Sequence, residues 1–433
     1  MDHKDGKLLW DVNRLFGEIV AGMKKCKELG KIPVSMAIDT WAVHYVLLDE
    51  KDQILGDTYG YRDHRTDGMD AEVAKILPET ELYGKTGIQK QIFNTVYQLM
   101  AVKQQTPELL QQAKTLLMLP DYFGFRLTGN KLSEYTNGST TQLVNPDTFQ
   151  WDKELIRKLG YPEDIFLPLQ MPGTKVGQLL PEIQKEVGFD LEVVLCGSHD
   201  TASAVMAVPQ TEGDGIYISS GTWSLMGIES LKPVITEDAA AANFTNEGGY
   251  DHRFRFLKNI MGLWMIQSVR HEYNDAYSFA QLCDMAEESK EFPSRVDVND
   301  QSFLSPDSMV EAIRQYCHKT GQPVPESVGE LTSVVYRSLA QSYGETVRGL
   351  EKIAGKTYDS IHIIGGGSNA AYLNQLTADA TGKTVYAGPG EATAIGNLLA
   401  QMIHAGDLAD LKSARKCVRE LSLIHISEPT RRS

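Results

Sequence analysis

"IHIIGGGSNAAYLNQLTADATGKTVYAG", residues Ile361–Gly388, has the pattern of a strand, a glycine loop, a helix and a second strand. The two apolar segments are short enough for buried strands, and the segment between them is long enough for a helix. Strands that alternate with helices in this way are typical of an α/β fold. The stretch therefore decides the fold class that we expect for the rest of the chain.

The same alternation of strands and helices occurs throughout the sequence. A first helix has Asp11 as its N-cap and ends at Gly30, and two strands in 34–50 meet at Asp39–Trp41. The elements predicted after them are helices over 87–105 and 107–127, a strand over 192–196, a hairpin over 215–229, and a long helix from Ser333. Polar residues at Pro209–Gly215 separate the two halves. We therefore predict two α/β domains, residues 1–208 and 209–421.

The bulk composition is that of an ordinary globular protein. The 433 residues include 57 acidic and 42 basic side chains, and the net charge of −15 argues against a partner that is nucleic acid or an anionic membrane. The cysteines are scattered and form no CxxC pair, so we expect reduced thiols. There is no apolar run of membrane-spanning length and no export signal, which favours a cytoplasmic protein.

A polar tetrad, Ser198–Thr201, follows the apolar strand in "VVLCGSHDTASAV". One interpretation is a loop in which Asp200 caps the following helix. The alternative is the edge of an active site, because a strand that ends in a carboxylate, an imidazole and two hydroxyls brings acid–base groups to one place.

Three glycine-containing motifs are candidates for binding phosphate. "GKTG" at Gly84–Gly87 lacks the first glycine of a P-loop, and we reject it. "GGGSNA" at 365–370 fits the dinucleotide fingerprint, but the next strand does not end in the acid that would hold a ribose. "SSGTWS" at 219–224 places a glycine between small hydroxyl residues in a hairpin turn, a pattern that favours an anion-binding nest.

Long motifs in a fixed order resemble the FGGY family of carbohydrate kinases. They cover about Leu8 to Glu420 and include "IDTWAVHYVLLDE", "YRDHRTDGM", "LMLPDYFGFRLTG", "EYTNGSTTQLVN", "SHDTASAV", "YISSGTWSLMGIES", "FTNEGGYDHRFRFLKNIMGLWMIQ" and "AGPGEATAIGN". The resemblance implies two actin-like (ribonuclease H-like) domains with a cleft between them. The sugar would bind mainly to the first domain and ATP mainly to the second.

The resemblance also implies roles for individual residues. Asp200 would be the catalytic proton acceptor for phosphoryl transfer to an alcohol. The residues expected to contact the sugar are Ala42, His199, Asp200, Thr201 and Asn259, and those expected to contact ATP are Thr222, Gln267 and Gly366. Magnesium is expected with ATP, and no metal ligand is assigned. Trp264 is expected in the core.

Several positions depart from the family pattern. Ala42 stands where the family typically has a glycine that contacts the sugar, and its methyl group would crowd that contact. His44 stands where an acid is expected. Tyr61–Arg65 matches an aromatic-x-Asp-x-Arg pattern of the sugar site, with a surface ion pair between Asp63 and Arg65 as the alternative. Thr377 and Thr381 occupy positions where some members have a cysteine pair.

The two ends of the chain give further expectations. The family opens with a strand–turn–strand that carries an Asp-x-Gly phosphate loop, and no such segment precedes Leu8. The chain begins almost directly with its first helix, so we expect a first domain without its initial strands. Residues 422–433 match nothing before them, and we interpret them as an artefactual tail. The chain then reads as a truncated protein whose turnover is poor.

The expected activity is ATP-dependent phosphorylation of a ketose, with L-rhamnulose as the leading substrate. Fuculose or xylulose are alternatives, because a few pocket contacts decide the sugar. An inactive sugar- or nucleotide-binding relative is a second alternative, and a dehydrogenase is a third. The sequence leaves open whether the protein is a monomer or a small homo-oligomer.

Overall fold

A computed structural model describes residues 2–210, 214–304 and 306–430. The chain forms two compact units. The first contains Met1–Met206 together with Glu229–Phe256 and Thr393–Leu411, and the second contains the segments between them and after them. This division differs from the contiguous boundary predicted at 208/209, because two later segments pack with the first unit. Residues 211–213 of the polar segment lie outside the described residues.

The strands are short in the first unit and longer in the second. They are β1 Asp2–Lys4, β2 Lys7–Leu9, β3 Ser35–Met36, β4 Tyr45–Leu48, β5 Ile54–Leu55, β6 Thr115–Met118, β7 Ser133–Glu134, β8 Val144–Asn145, β9 Gln150–Trp151, β10 Leu169–Gln170, β11 Lys175–Gln178, β12 Glu192–Val194, β13 Ile216–Ser220, β14 Trp223–Ser230, β15 Thr245–Gly248, β16 Phe254–Met261, β17 Ser360–Ile364, β18 Thr384–Ala387 and β19 His425–Ser427.

The α-helices separate most of these strands. They are α1 Val12–Glu28, α2 Met69–Ala74, α3 Glu79–Thr86, α4 Thr95–Gln105, α5 Pro107–Gln112, α6 Leu119–Thr128, α7 Tyr135–Ser139, α8 Lys153–Lys158, α9 Pro181–Val187, α10 Asp200–Met206, α11 Glu237–Ala241, α12 Trp264–Glu272, α13 Phe279–Glu288, α14 Met309–Lys319, α15 Val328–Ala354, α16 Ala371–Thr381, α17 Ala392–Ala405 and α18 Leu411–Leu421. Within the described residues, no helix has the length and apolar character needed to cross a bilayer.

Strand β4 is buried on both of its faces and organises the core of the first unit. It pairs with β5 and β6 in an antiparallel sheet. Tyr45 and Leu47 belong to one hydrophobic cluster, whereas Val46 and Leu48 belong to another. Because successive side chains of a strand point to opposite faces, this alternation is what a strand between two cores requires.

The second unit is built around β17, whose apolar residues are almost all buried. β17 pairs in parallel with β13 and β18, and β13 pairs antiparallel with β14. α15 packs against α13 and α16. The predicted strand–loop–helix–strand unit of 361–388 is therefore confirmed as β17, α16 and β18.

Other predictions for individual elements were mixed. α1 is confirmed, and Asp11 accepts a hydrogen bond from the Arg14 N–H at 2.9 Å. The helix predicted over 107–127 is wrong, because β6 interrupts it to pair with β4. The helix predicted from Gly87 begins only at α4. The two strands predicted in 34–50 are shorter than expected, with an irregular loop between β3 and β4.

The ends of the described chain also differ from expectation. A β1–β2 hairpin precedes α1, with Asp5 and Gly6 at positive φ in its turn. The expectation that the first helix has almost nothing before it is therefore wrong. At the other end, β19 pairs antiparallel with β18, in the segment that we interpreted as a tail.

Candidate active site

The Ser198–Thr201 tetrad lies where two parallel strands of the first unit end. β12 pairs with β3, and beyond both strands Thr40 forms a bridge with His199. Thr40 donates its N–H to the Ser198 carbonyl at 2.9 Å, and the Asp200 N–H donates to the Thr40 carbonyl at 2.9 Å. These bonds place Asp200 beside the loop that carries Asp39 and Trp41. Asp200 itself is the first residue of α10.

A buried carboxylate, Glu134, holds the tetrad from beneath. It accepts hydrogen bonds from the N–H and hydroxyl of Thr136, each at 2.7 Å, and from the Asn137 N–H at 3.0 Å. It also accepts from the N–H and hydroxyl of Ser198. Burial raises the pKa of Glu134, although these donors lower it. Five donors on one carboxylate fix the position of the loop.

His199 is surrounded by charged side chains, one from its neighbour in the sequence and two from a distant segment. Its Nε2 lies 3.4 Å from Asp200 Oδ1, and its Nδ1 lies 3.3 Å from Glu247 Oε2 and 2.9 Å from Arg255 Nη2. Its side chain is only 8% exposed, whereas that of Asp200 is 46% exposed. The structure thus places a solvent-accessible carboxylate next to a buried imidazole.

Thr201 contacts the same carboxylate. Its hydroxyl donates to Asp200 Oδ1 at 3.2 Å, and its side chain is buried. The backbone carbonyl of Asp200 accepts from the hydroxyl of Thr393 at 3.4 Å. A neighbouring hydroxyl and a hydroxyl from α17 therefore both contact Asp200 and fix its position.

A second carboxylate, Asp39, lies at the same edge. Its Oδ2 accepts from Asn397 Nδ2 at 2.6 Å. Burial raises the pKa of Asp39 to about 6; the amide of Asn397 lowers it and the charge of Asp200 raises it further. The charge of Asp200 therefore acts on the carboxyl of Asp39.

The loop from Trp41 to His44 forms an aromatic wall in the first unit. The ring of Trp41 stacks on Trp10 at 4.1 Å between centroids, and His44 meets both rings edge-on. His44 Nδ1 lies 2.7 Å from the Ala42 carbonyl, and burial lowers the pKa of His44 to about 4. Val43 has φ of 63°, a rare value for a β-branched residue, which indicates backbone strain in this loop.

The aromatic-x-Asp-x-Arg segment, 61–65, is part of the packing of the first unit. Asp63 accepts from the N–H groups of Leu8 and Arg65, both at 2.8 Å. The guanidinium of Arg65 donates to Gln98 at 2.8 Å and lies 3.9 Å from the centre of the Tyr59 ring. Asp63 therefore caps backbone N–H groups. The guanidinium of Arg65 has partners other than the carboxylate of Asp63.

In the second unit, the "SSGT" turn and the glycine loop lie at one edge of the sheet. β13 and β14 form the predicted hairpin, and Ser219 lies opposite Ile364 in the parallel pair of β13 and β17. Gly365 has φ of 85°, and a Cβ there would lie 2.8 Å from the Ser220 carbonyl. Because only glycine fits, the loop passes directly against the end of β13.

The predicted nucleotide residues of the second unit are close along this edge. Thr222 is exposed, and its carbonyl accepts from the Trp264 N–H at 3.2 Å, which ties the turn to the start of α12. Gln267 lies on α12 and is half-buried. A Cβ on Gly366 would meet no atom within 4 Å. Trp264 is half-buried rather than in the core, because it is the first residue of its helix.

Asn259 lies on β16 in the second unit. Its Oδ1 is buried and has no hydrogen-bond partner among the described residues. A buried amide oxygen without a partner is costly, which marks it as a position where a ligand group can bind.

Sequence reasoning missed three residues that contact the tetrad, Glu134, Glu247 and Arg255, and the pair Asp39 and Asn397 at the same strand edge. Glu134 and Glu247 lie in "EYTNGS" and "TNEGG", where polar residues stand among small ones next to strands, and that pattern could have suggested buried carboxylates. No local pattern connects Arg255 to His199, which is 56 positions away. All five cysteines are free, in agreement with the reduced thiols expected, and Thr377 donates to the carbonyl of Leu373 within α16.

Comparison with known proteins identifies the class of enzyme. Residues 2–207 match the N-terminal domain and residues 216–405 match the C-terminal domain of the FGGY family of carbohydrate kinases. The chain belongs to this family. It is therefore a phosphotransferase that uses ATP and an alcohol acceptor, which excludes the dehydrogenase alternative.

Two curated relatives, from Halalkalibacterium halodurans and Bacillus subtilis, are rhamnulokinases. The chain is 53% identical to the first over 96% of its own length and 88% of the relative's. It is 45% identical to the second over 98% of its own length and 87% of the relative's.

Solved structures confirm the fold. A ligand-bound xylulose kinase from Lactobacillus acidophilus matches with a TM-score of 0.81 at 17% identity, covering 99% of this chain and 87% of that one. A Plasmodium falciparum glycerol kinase with ADP matches with a TM-score of 0.77 at 14% identity, covering 99% and 88%. The predicted two-domain α/β fold of the sugar kinases is confirmed.

Proposed function

We propose that the chain phosphorylates L-rhamnulose at O1, giving L-rhamnulose 1-phosphate and ADP. The identity to the rhamnulokinases of Halalkalibacterium and Bacillus supports this substrate. The single observation that carries the mechanism is the half-exposed carboxylate of Asp200, 3.4 Å from the buried imidazole of His199. It offers a proton acceptor at an accessible strand end.

In the proposed reaction, the oxygen of the sugar hydroxyl attacks the γ-phosphorus of ATP. Asp200 accepts the proton of that hydroxyl as the attack proceeds. A new O–P bond forms while the bond from that phosphorus to the β,γ-bridging oxygen breaks, and ADP leaves with the electron pair. Most of the rate enhancement in such transfers comes from positioning and charge stabilisation, so one carboxylate is sufficient as base.

The sugar contacts are proposed at Ala42, His199, Thr201 and Asn259. Thr201 donates to Asp200 in this structure and could also turn to a sugar hydroxyl. The unpartnered Oδ1 of Asn259 supports a role as a hydrogen-bond acceptor for such a hydroxyl. Fuculose and xylulose remain the competing sugars, because they would use the same polar groups.

The nucleotide contacts are proposed at Thr222, Gln267 and Gly366. The exposed hydroxyl of Thr222 can bind a phosphate oxygen, and the open space over Gly366 allows an adenosine to approach the backbone. Small hydroxyl residues and glycines at a strand edge are suited to phosphate, because their backbone N–H groups are accessible.

Magnesium is proposed to enter bound to the phosphates of ATP. The described residues include no group of three or more His, Cys, Asp or Glu side chains that could hold a metal ion by themselves. Mg²⁺ commonly keeps several waters and uses one or two carboxylates together with phosphate oxygens, so it does not require such a group. When bound, it would neutralise phosphate charge.

A coupled ADP-release assay with L-rhamnulose, fuculose and xylulose tests the proposal. We expect the highest kcat/KM with L-rhamnulose. Asp200→Asn should keep ATP affinity and lose about two to four orders of magnitude in kcat, because it cannot accept the proton. The control Asp164→Asn, at an exposed position of the first unit, should behave as wild type.

Three results would contradict the proposal. A preference for another ketose would replace the substrate, and near-normal turnover by Asp200→Asn would remove that residue from its role. Binding of sugar and ATP without any turnover in the wild-type chain would support the non-catalytic alternative.

A further inference from the structure

Arg255 is a completely buried cation in contact with the candidate active site. Its side chain has no exposed surface, and its Nε donates to the Gly248 carbonyl at 2.9 Å. Its Nη2 lies 2.9 Å from His199 Nδ1 and 3.1 Å from Glu247 Oε2. Because an unpaired charge is costly in a protein interior, the neighbouring carboxylate accounts for the burial of the guanidinium.

The contact between Arg255 and His199 restricts where the imidazole carries its proton. A guanidinium is charged at all relevant pH values and only donates hydrogen bonds. At 2.9 Å, Nδ1 must therefore present its lone pair to Nη2. A neutral imidazole that accepts at Nδ1 carries its proton on Nε2.

Glu247 competes for the same nitrogen but is placed less favourably. Its Oε2 lies 3.3 Å from Nδ1, which is longer than the Arg255 contact. A proton on Nδ1 would also place an N–H opposite the N–H of the guanidinium, and the two would repel each other. Burial raises the pKa of Glu247 and the charge of the Arg255 guanidinium lowers it, and the pKa lies below its usual value. Glu247 thus balances the charge of Arg255.

We propose that Arg255, paired with Glu247, is a positioning residue that fixes His199 as the neutral Nε2–H tautomer and directs this N–H to the edge where Asp200 lies. The inference rests on the proposed function, in which the sugar binds at that strand edge. His199 then acts as a hydrogen-bond donor, either to the Asp200 carboxylate or to a sugar hydroxyl.

This arrangement assigns different tasks to His199 and Asp200. The Nε2–H faces Asp200 Oδ1 at 3.4 Å and orients the carboxylate as a hydrogen-bond donor. With a proton on Nε2 and the lone pair of Nδ1 occupied by the guanidinium, the neutral imidazole has no free lone pair for the proton of the sugar hydroxyl. Asp200 is then the group that accepts the proton of the sugar hydroxyl.

The ¹⁵N spectrum of the imidazoles tests the tautomer directly. The protonated and unprotonated ring nitrogens have well-separated shifts, and the chain has ten histidines, so His199→Gln identifies the signals of His199. In the ligand-free wild-type protein near pH 8, we expect Nε2 protonated and Nδ1 unprotonated. A proton on Nδ1 in this spectrum would overturn the proposal, whatever the variants do.

Variants at Arg255 separate a positioning role from simple packing. Arg255→Met leaves Glu247 as the nearest partner of Nδ1, so the proton should move to Nδ1. The value of kcat should fall about ten- to hundredfold, the range known for residues that orient a metal-binding histidine through its second ring nitrogen, with little change in the KM for ATP. Arg255→Lys keeps a buried cationic donor and should restore the Nε2–H tautomer and much of the activity.

Arg157→Met serves as the matched control, because Arg157 is an exposed arginine paired with Glu163. It should leave both the spectrum and kcat unchanged. Loss of kcat in Arg255→Met with an unchanged tautomer would refute the positioning role. The tautomer is measured independently of the proposed function: near-normal turnover by Asp200→Asn would remove Asp200 as the base, yet would leave the tautomer of His199 as measured.

Discussion

Asp39 should make the folded protein less stable as the pH rises from about 4 to 6. Burial raises the pKa of its carboxyl from 3.8 to about 6, so within this window the native state binds a proton that the unfolded chain has released. Stability then falls with increasing pH. Each pH unit between the two pKa values corresponds to about 1.4 kcal/mol, so the full effect above pH 6 is about 3 kcal/mol.

Asp39→Asn removes this charge and should therefore flatten the pH dependence. At pH 7 the variant should be about 3 kcal/mol more stable than wild type, because it lacks the carboxyl group whose ionisation costs the folded state that amount, and the bond from Asn397 at 2.6 Å already contributes to the pKa of about 6. At pH 4 the two proteins should differ little. The charge of Asp200 also raises the pKa of Asp39. In an Asp200→Asn background, the stability difference that Asp39→Asn makes at pH 7 should therefore be smaller.

Urea unfolding followed by circular dichroism at intervals between pH 4 and 8 measures these differences. Asp164→Asn, an exposed change in the same unit, controls for net charge. If the free energies of unfolding of wild type and Asp39→Asn run parallel from pH 4 to pH 8, the reasoning is refuted. Parallel curves would mean that the carboxyl of Asp39 has the same pKa in the folded and the unfolded protein.

Two further predictions concern the glycine loop and the buried glutamate. Gly366→Val should fold normally, because a Cβ there meets open space, and should weaken the binding of ATP measured by calorimetry. Equal ATP affinity for this variant and wild type would contradict the assignment of Gly366 to the nucleotide site. Gly365→Ala should instead lower the stability of the fold, because Gly365 has φ of 85°. Glu134→Ala should cost about 3–5 kcal/mol in urea unfolding, because it leaves several buried donors of Ser198 and Thr136 without an acceptor; a loss below 1 kcal/mol would contradict this.

The elements that the sequence predicted well are those with complete local signals. α1 has a capping aspartate, a periodic apolar face and a terminal glycine, and β17 to β18 has a long helix between two apolar runs. β6 was missed because "TLLM" lies between two helical segments and has no turn residues around it. Its identity as a strand comes from pairing with β4, which local composition does not encode.

The candidate site shows the same division. Asp200 and its neighbours could be found because four polar residues follow an apolar strand. Arg255 and Asn397 could not, since each reaches the site from a distant segment. Such groups are determined by the tertiary fold, and no spacing rule connects them in one sequence.

The discontinuous first unit has a consequence for synthesis on the ribosome. Met206 ends its long first segment, but Thr393–Leu411, which brings Asn397 to Asp39, is made about 190 residues later. At about 5–20 residues per second, this corresponds to roughly 10–40 seconds of translation. During that interval the carboxyl of Asp39 lacks its amide partner, so the nascent unit stays incomplete until its last segment, Thr393–Leu411, has been made.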